Sequence, residues 1–138
     1  MRKIDEIIIH CTGTVPSAKT TVESVRNYHV GKKGWKDIGY HYLITIDGVI
    51  HNGRPIEQAG AHCKGHNATT IGICYVGGLD PITKKSTDTR NEKQKNALQL
   101  LVKHLKAGYP GIKKVSGHYM YNKSKPCPCF DVAKEFGE

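Results

Sequence analysis

The sequence predicts an α/β (α+β) fold, a single domain over residues 1–138 whose mixed central β-sheet is flanked by helices. Short apolar runs bounded by turn residues alternate with segments of helical period. An Asp47-Gly48 pair joins two alternating runs, which makes at least one strand pairing antiparallel. A chain of 138 residues is also long enough to bury one core without disulfide staples.

In chain order, "DEIIIHCTG" predicts a buried strand over residues 6–10, with His10 at its C-terminal end before a turn-rich loop through Gly13 and Pro16. "TTVESVRNYHVGKKG" predicts a first helix. Thr20 and Glu23 have capping-box spacing, Val22, Val25 and His29 share one face, and Gly31 stops the helix. "GYHYLITIDGVIHNGR" sets Tyr40, Tyr42, Ile44 and Ile46 against His41, Leu43 and Thr45, so a two-residue Asp47-Gly48 turn should give a hairpin with Tyr42, Ile44 and Ile46 on its core side. "TTIGICYVGG" predicts another strand over 70–76, and the polar 79–92 stretch the longest loop. "NEKQKNALQLLVKHLKAGYPG" places Leu98, Leu101, Val102 and Leu105 at helical spacing until Gly108 and Pro110 end the helix. "IKKVSGHYM" predicts a short strand whose end presents His118, and "FDVAKEFG" a last helical segment capped by Asp131.

Composition narrows the function classes. No apolar run approaches the roughly 20 residues that cross a bilayer, so no membrane insertion is expected. In "MRKIDEIIIH" the apolar Ile7–Ile9 run is too short for a signal-peptide core, and a cytoplasmic location is expected. The five cysteines, Cys11, Cys63, Cys74, Cys127 and Cys129, are odd in number and scattered, which favours reduced thiols over a disulfide framework. A net charge of +9 favours a polyanionic partner, whether nucleic acid, anionic lipid or bacterial cell wall.

Ligand sites in α/β sheets collect at strand ends, which makes His10, His118 and the loop "KPCPCFD" candidates for one cluster. Two histidines and a thiolate suit a catalytic zinc, which keeps three protein ligands and one open position. In an extended, proline-flanked stretch Cys127 and Cys129 point to opposite sides, so one metal cannot readily take both, and the pattern does not choose between them. His29, His41, His51, His66 and His104 read as surface or packed residues. Trp35 either stacks on a sugar or closes a core edge.

Four ordered segments, "IIIHCTGT", "WKDIGYHYLITIDGVIHNGR", "GAHCKGHNATTIGICYVGG" and "SGHYMYNKSKPCPCFD", resemble the type-2 N-acetylmuramoyl-L-alanine amidases, a family that includes short phage lysozymes and the catalytic peptidoglycan recognition proteins. The resemblance runs nearly end to end. It implies a zinc cofactor (Zn2+) on His10, His118 and Cys127, catalytic roles for Tyr40 and Lys125, a substrate-binding role for His62, and Cys129 as a bystander. It further implies a monomer whose substrate is bacterial peptidoglycan, not nucleic acid, either a phage or prophage lytic enzyme that reaches the wall from the cytoplasm through a separate pore, which is the preferred reading, or a bacterial cell-wall amidase exported by an unobvious route. The other reading within the resemblance is a peptidoglycan-binding module without catalysis. A basic nucleic-acid-binding protein has the charge in its favour but no stacking-aromatic or recognition-helix signature.

Overall fold

A computed structural model describes residues 2–137, so the expected domain limits at Met1 and Glu138 lie outside the described residues. Strands β1 (Glu6–Cys11), β2 (Tyr42–Ile44), β3 (Ile50–Asn52), β4 (Thr70–Tyr75) and β5 (Lys114–Gly117) form one sheet in the order β3-β2-β4-β1-β5. Helices α1 (Val22–Gly31), α2 (Glu92–Gly108) and α3 (Val132–Phe136) flank it. β1 runs parallel to both β4 and β5, β2 runs parallel to β4, and β3 is antiparallel to β2. This is the expected mixed sheet. Among the described residues no helix is long and apolar enough to cross a membrane.

The two central strands, "EIIIHC" and "TIGICY", are buried along their whole length, as parallel strands covered on both faces must be. Ile7, Ile9 and Cys11 of β1 and Ile71, Ile73 and Tyr75 of β4 pack with Leu98, Leu101, Val102 and Leu105 of α2 and with Val132 of α3. On the opposite face Leu43, Cys74 and Val76 meet Val22 and Val25 of α1, together with Tyr40 and Ile46. The expected core stripe on the hairpin is thereby corrected. Ile44 lies in the α2 layer with Tyr42 at its edge, whereas Ile46, beyond the strand end, packs in the α1 layer. With both faces covered, alternation along β2 sorts residues between two cores instead of between core and solvent.

Local differences have local causes. The α1 cap is Thr21, whose hydroxyl accepts from the Ser24 N–H while the Ser24 hydroxyl accepts from the Thr21 N–H. Serine fills the place expected of a glutamate, one residue later than predicted. The hairpin turn spans Ile46, Asp47 and Gly48, with Gly48 at φ +79° and its N–H on the Thr45 carbonyl, because the Asp47 carboxylate accepts from the Thr45 hydroxyl and the Val49 N–H inside the loop. β5 ends at Gly117, and His118 opens a short 3-10 turn, His118–Met120.

The long loop after β4 is tied to α3 by Arg90. Its guanidinium lies 2.9 Å from Asp88 and 2.7 Å from Glu135, and stacks 3.4 Å above the Phe130 ring. Burial pushes the Asp88 carboxyl up, but hydrogen bonds and charge from Arg90 outweigh this and hold it below its ordinary value. The stability this provides is complete above the unfolded carboxyl value of about 3.9 and is lost as pH falls through the lower folded one. We expect Arg90→Met to cost about 2–3 kcal/mol at neutral pH, less than for a fully buried pair because both carboxylates keep water contact. Thermal melting at pH 7 and pH 3 checks this: the gap between wild type and variant should narrow in acid, and a constant gap contradicts it.

Candidate active site

The site forms where parallel strands β1 and β5 end. Ile9 pairs with Gly117, so His10 and His118 emerge side by side, with ring centroids 4.5 Å apart. The 118–130 segment then turns back and brings Cys127 against the end of β1, where the Cys11 backbone N–H donates to its Sγ at 3.0 Å. One ligand atom from each of His10, His118 and Cys127 lies within 4.8 Å of the other two, a group that could hold a metal ion. Two imidazoles and a thiolate, with no carboxylate, fit zinc better than magnesium or calcium.

Burial keeps the imidazoles neutral, the form that binds metal. His10 is held well below its usual pKa by burial and then by neighbouring His62 and His118, and His118 is lowered by burial and then by Lys125. The cysteines separate by environment. Cys11 is held far above the normal thiol value by its hydrogen bond with Cys127 and by burial, and Cys129 is pushed up to about 12 by burial and by Cys11. Both remain thiols.

The "KPCPCFD" segment is not extended as expected. Its Cys127–Pro128 peptide is cis, Cys129 has φ +70°, and the Cys129 N–H bonds back to the Pro126 carbonyl at 2.7 Å. The two cysteines nevertheless diverge. Cys129 Sγ sits 3.9 Å from Cys11 Sγ and 3.6 Å from the Gly78 carbonyl, outside the group of three donors.

A cleft of about 770 Å³ opens over these donors, and Tyr40, His62, Lys125, Trp35 and Lys33 are among the residues that line it. The Tyr40 ring lies 5.2 Å from that of His10, and burial followed by the nearby Cys74 and Cys127 keeps its phenol well above its usual value, hence protonated. Trp35 packs 4.6 Å from the His29 ring and also faces the cleft, so it closes an edge and offers a surface at once. His62 reaches the cleft from below, with both ring nitrogens engaged by His10 and Thr70.

The remaining histidines stand apart from the donor group. His29 Nδ1 accepts from the Gly39 N–H, His41 Nδ1 accepts from the Gly72 N–H, His51 meets the Thr45 hydroxyl, His66 stacks on Tyr121, and His104 is exposed on α2. The Cys11 N–H that supports the Cys127 sulfur went unseen in the sequence. Being a backbone group, it leaves no residue-type signal.

Residues 1–130 match the family described as N-acetylmuramoyl-L-alanine amidase. The endolysin of Klebsiella phage KP32 is 34% identical over 135 residues, 96% of this chain and 85% of that protein. The endolysin of Escherichia phage T7 is 36% identical over 130 residues, 94% of this chain and 83% of that protein. Among solved structures, the N-acetylmuramoyl-L-alanine amidase LysC from Clostridium intestinale superposes with a TM-score of 0.78 at 27% identity, covering 98% of this chain and 83% of its own. A family match over nearly the whole length, joined to a His, His, Cys donor set at the mouth of a cleft, places this chain in the N-acetylmuramoyl-L-alanine amidase family.

Proposed function

We propose that this cleft, with zinc on His10, His118 and Cys127, hydrolyses the amide between the lactoyl group of N-acetylmuramic acid and the L-alanine of the stem peptide, as the lytic amidase of a phage or prophage. The observation that carries the zinc assignment is the convergence of the three donors within 4.8 Å. Zinc bound there supplies Lewis acidity toward the scissile carbonyl and lowers the pKa of water toward neutrality.

The protein's own groups do the rest. Lys125 lines the same cleft as the donor group, close enough for its charge to act on His118, and offers a positive charge to the oxyanion that develops as the carbonyl becomes tetrahedral. Tyr40, kept protonated beside His10, orients the attacking water or the carbonyl by donating a hydrogen bond and does not serve as an unaided base. The +9 charge holds the enzyme on anionic murein, and the chain works as a monomer released to the wall from the cytoplasm through a separate pore. A recognition module without catalysis would have no use for a complete donor set next to Tyr40 and Lys125.

Incubating zinc-loaded protein with murein sacculi tests this reading. We expect new free amino groups on alanine, no new reducing sugar ends, loss of release with a chelator and recovery on adding zinc. Release that survives the chelator would refute the zinc assignment, and new reducing ends would refute the amidase chemistry.

A further inference from the structure

Beneath the three donors lies a chain of polar contacts that leads away from the cleft. His10 Nε2 lies 2.8 Å from His62 Nδ1, and His62 Nε2 lies 3.2 Å from the Thr70 hydroxyl, which in turn lies 2.8 Å from the His66 carbonyl. The direction of every proton follows from its far end. A carbonyl only accepts, so the single Thr70 hydroxyl proton goes to His66, and the hydroxyl oxygen accepts from His62 Nε2–H. His62 Nδ1 is then a bare lone pair. It accepts from His10 Nε2–H, which fixes His10 in the tautomer whose Nδ1 is unprotonated and free to bind a metal.

The sequence makes room for this chain at some cost to packing. Gly72 sits within the fully buried strand β4, and a Cβ there would lie 2.6 Å from His62 Cγ and 2.9 Å from His62 Nδ1. A Cβ on Gly60 would meet His62 Cδ2 at 2.8 Å. Two glycines thus form a slot as wide as one imidazole ring. The loop that delivers His62 is fixed by Asn67, whose side-chain oxygen accepts the backbone N–H groups of His62 and Cys63 at 3.0 Å each.

From the directed contacts and the glycine slot we infer that His62 is a positioning residue: seated on Gly72 and oriented by Thr70, it holds His10 in its metal-binding tautomer instead of binding substrate. The inference rests on the zinc assignment above. It also explains why a buried strand otherwise built of threonine, isoleucine, cysteine and tyrosine carries a glycine near its centre. Partners of this kind typically change metal affinity by about 10–100-fold when removed.

The test is zinc affinity, measured by competition with a chromophoric chelator on folded, zinc-loaded protein. We expect His62→Leu to bind zinc about 10–100-fold more weakly, and His62→Asn, whose side-chain oxygen can replace Nδ1 as acceptor, to stay within roughly threefold of wild type. Nitrogen-15 spectra of the His10 ring should show a single Nε2-protonated tautomer in wild type and a mixture in His62→Leu. If His62→Leu does not fold, Thr70→Val decides, because it leaves the ring seated and removes only the hydroxyl; it should weaken zinc binding where Thr70→Ser does not. Equal affinities for wild type and His62→Leu, or for Thr70→Val and Thr70→Ser, overturn the inference. Wild-type protein that takes up no zinc fails the metal assignment itself, whereas a zinc-binding wild type with indifferent variants fails only the role of His62.

Discussion

Cys127→Ser should lose stoichiometric zinc and bring amino-group release from sacculi down to background, while Cys129→Ser keeps both. The two cysteines are one residue apart and chemically alike, so the contrast comes from where the fold puts them. Cys127 Sγ converges with His10 and His118 and accepts the Cys11 N–H, so its sulfur is aimed at the same point as the two imidazoles. Cys129 is turned toward Cys11 and the Gly78 carbonyl and is kept protonated by its surroundings. A serine hydroxyl at 127 is a poor substitute, since it holds its proton far more tightly than a thiol does. Metal analysis of the two purified variants, each with a melting curve to confirm folding, decides the matter, and zinc lost from Cys129→Ser but not from Cys127→Ser would reverse the assignment.

Lys125→Met should lower kcat by about 10²–10³ with zinc content unchanged, which is the usual effect of removing one donor to a developing oxyanion. Methionine keeps the length and apolar body of the side chain, so the change is close to a deletion of charge. Lys125 lies near enough to His118 to lower its proton affinity, so the charge is felt at the donor group. If its role is confined to the transition state, kcat and kcat/KM fall together. A variant with normal kcat and raised KM would instead make Lys125 a ground-state anchor for murein.

The parts of the fold that were legible in the sequence are those governed by burial. "EIIIHC", "TIGICY" and Leu98, Leu101 and Leu105 of α2 have few ways to hide their apolar surface, and each took its expected form. Where two neighbouring residues could do the same job, sequence could not choose: Thr20 and Thr21 are both competent caps, and only the Ser24 contact selects the second. The candidate site was legible in outline, because strand ends grouped His10, His118 and the "KPCPCFD" loop, but the choice of Cys127 over Cys129 and the roles of Tyr40 and Lys125 came only from the resemblance to a known family. His10, His118 and Cys127 are far apart in the chain, with none of the short spacing that marks a metal knuckle, and they meet because two parallel strands end together. The position of His62 did leave a trace, the glycine within "TIGICY", but its meaning depends on which loop crosses that strand.

The pairing of β1 with β4 and β5 leaves the protein little freedom to evolve at that strand. Ile7, Ile9 and Cys11 face the α2 layer, so Glu6, Ile8 and His10 face the other side. A slip of one residue would send His10 into the oily layer, move an isoleucine to the mouth of the cleft and separate His10 from His118 in the same step. Loops elsewhere can lengthen or shorten by small increments, but β1 has no intermediate lengths to sample. A one-residue insertion or deletion within β1 is therefore expected to abolish the donor group outright, whereas the same change in a loop away from the cleft is not.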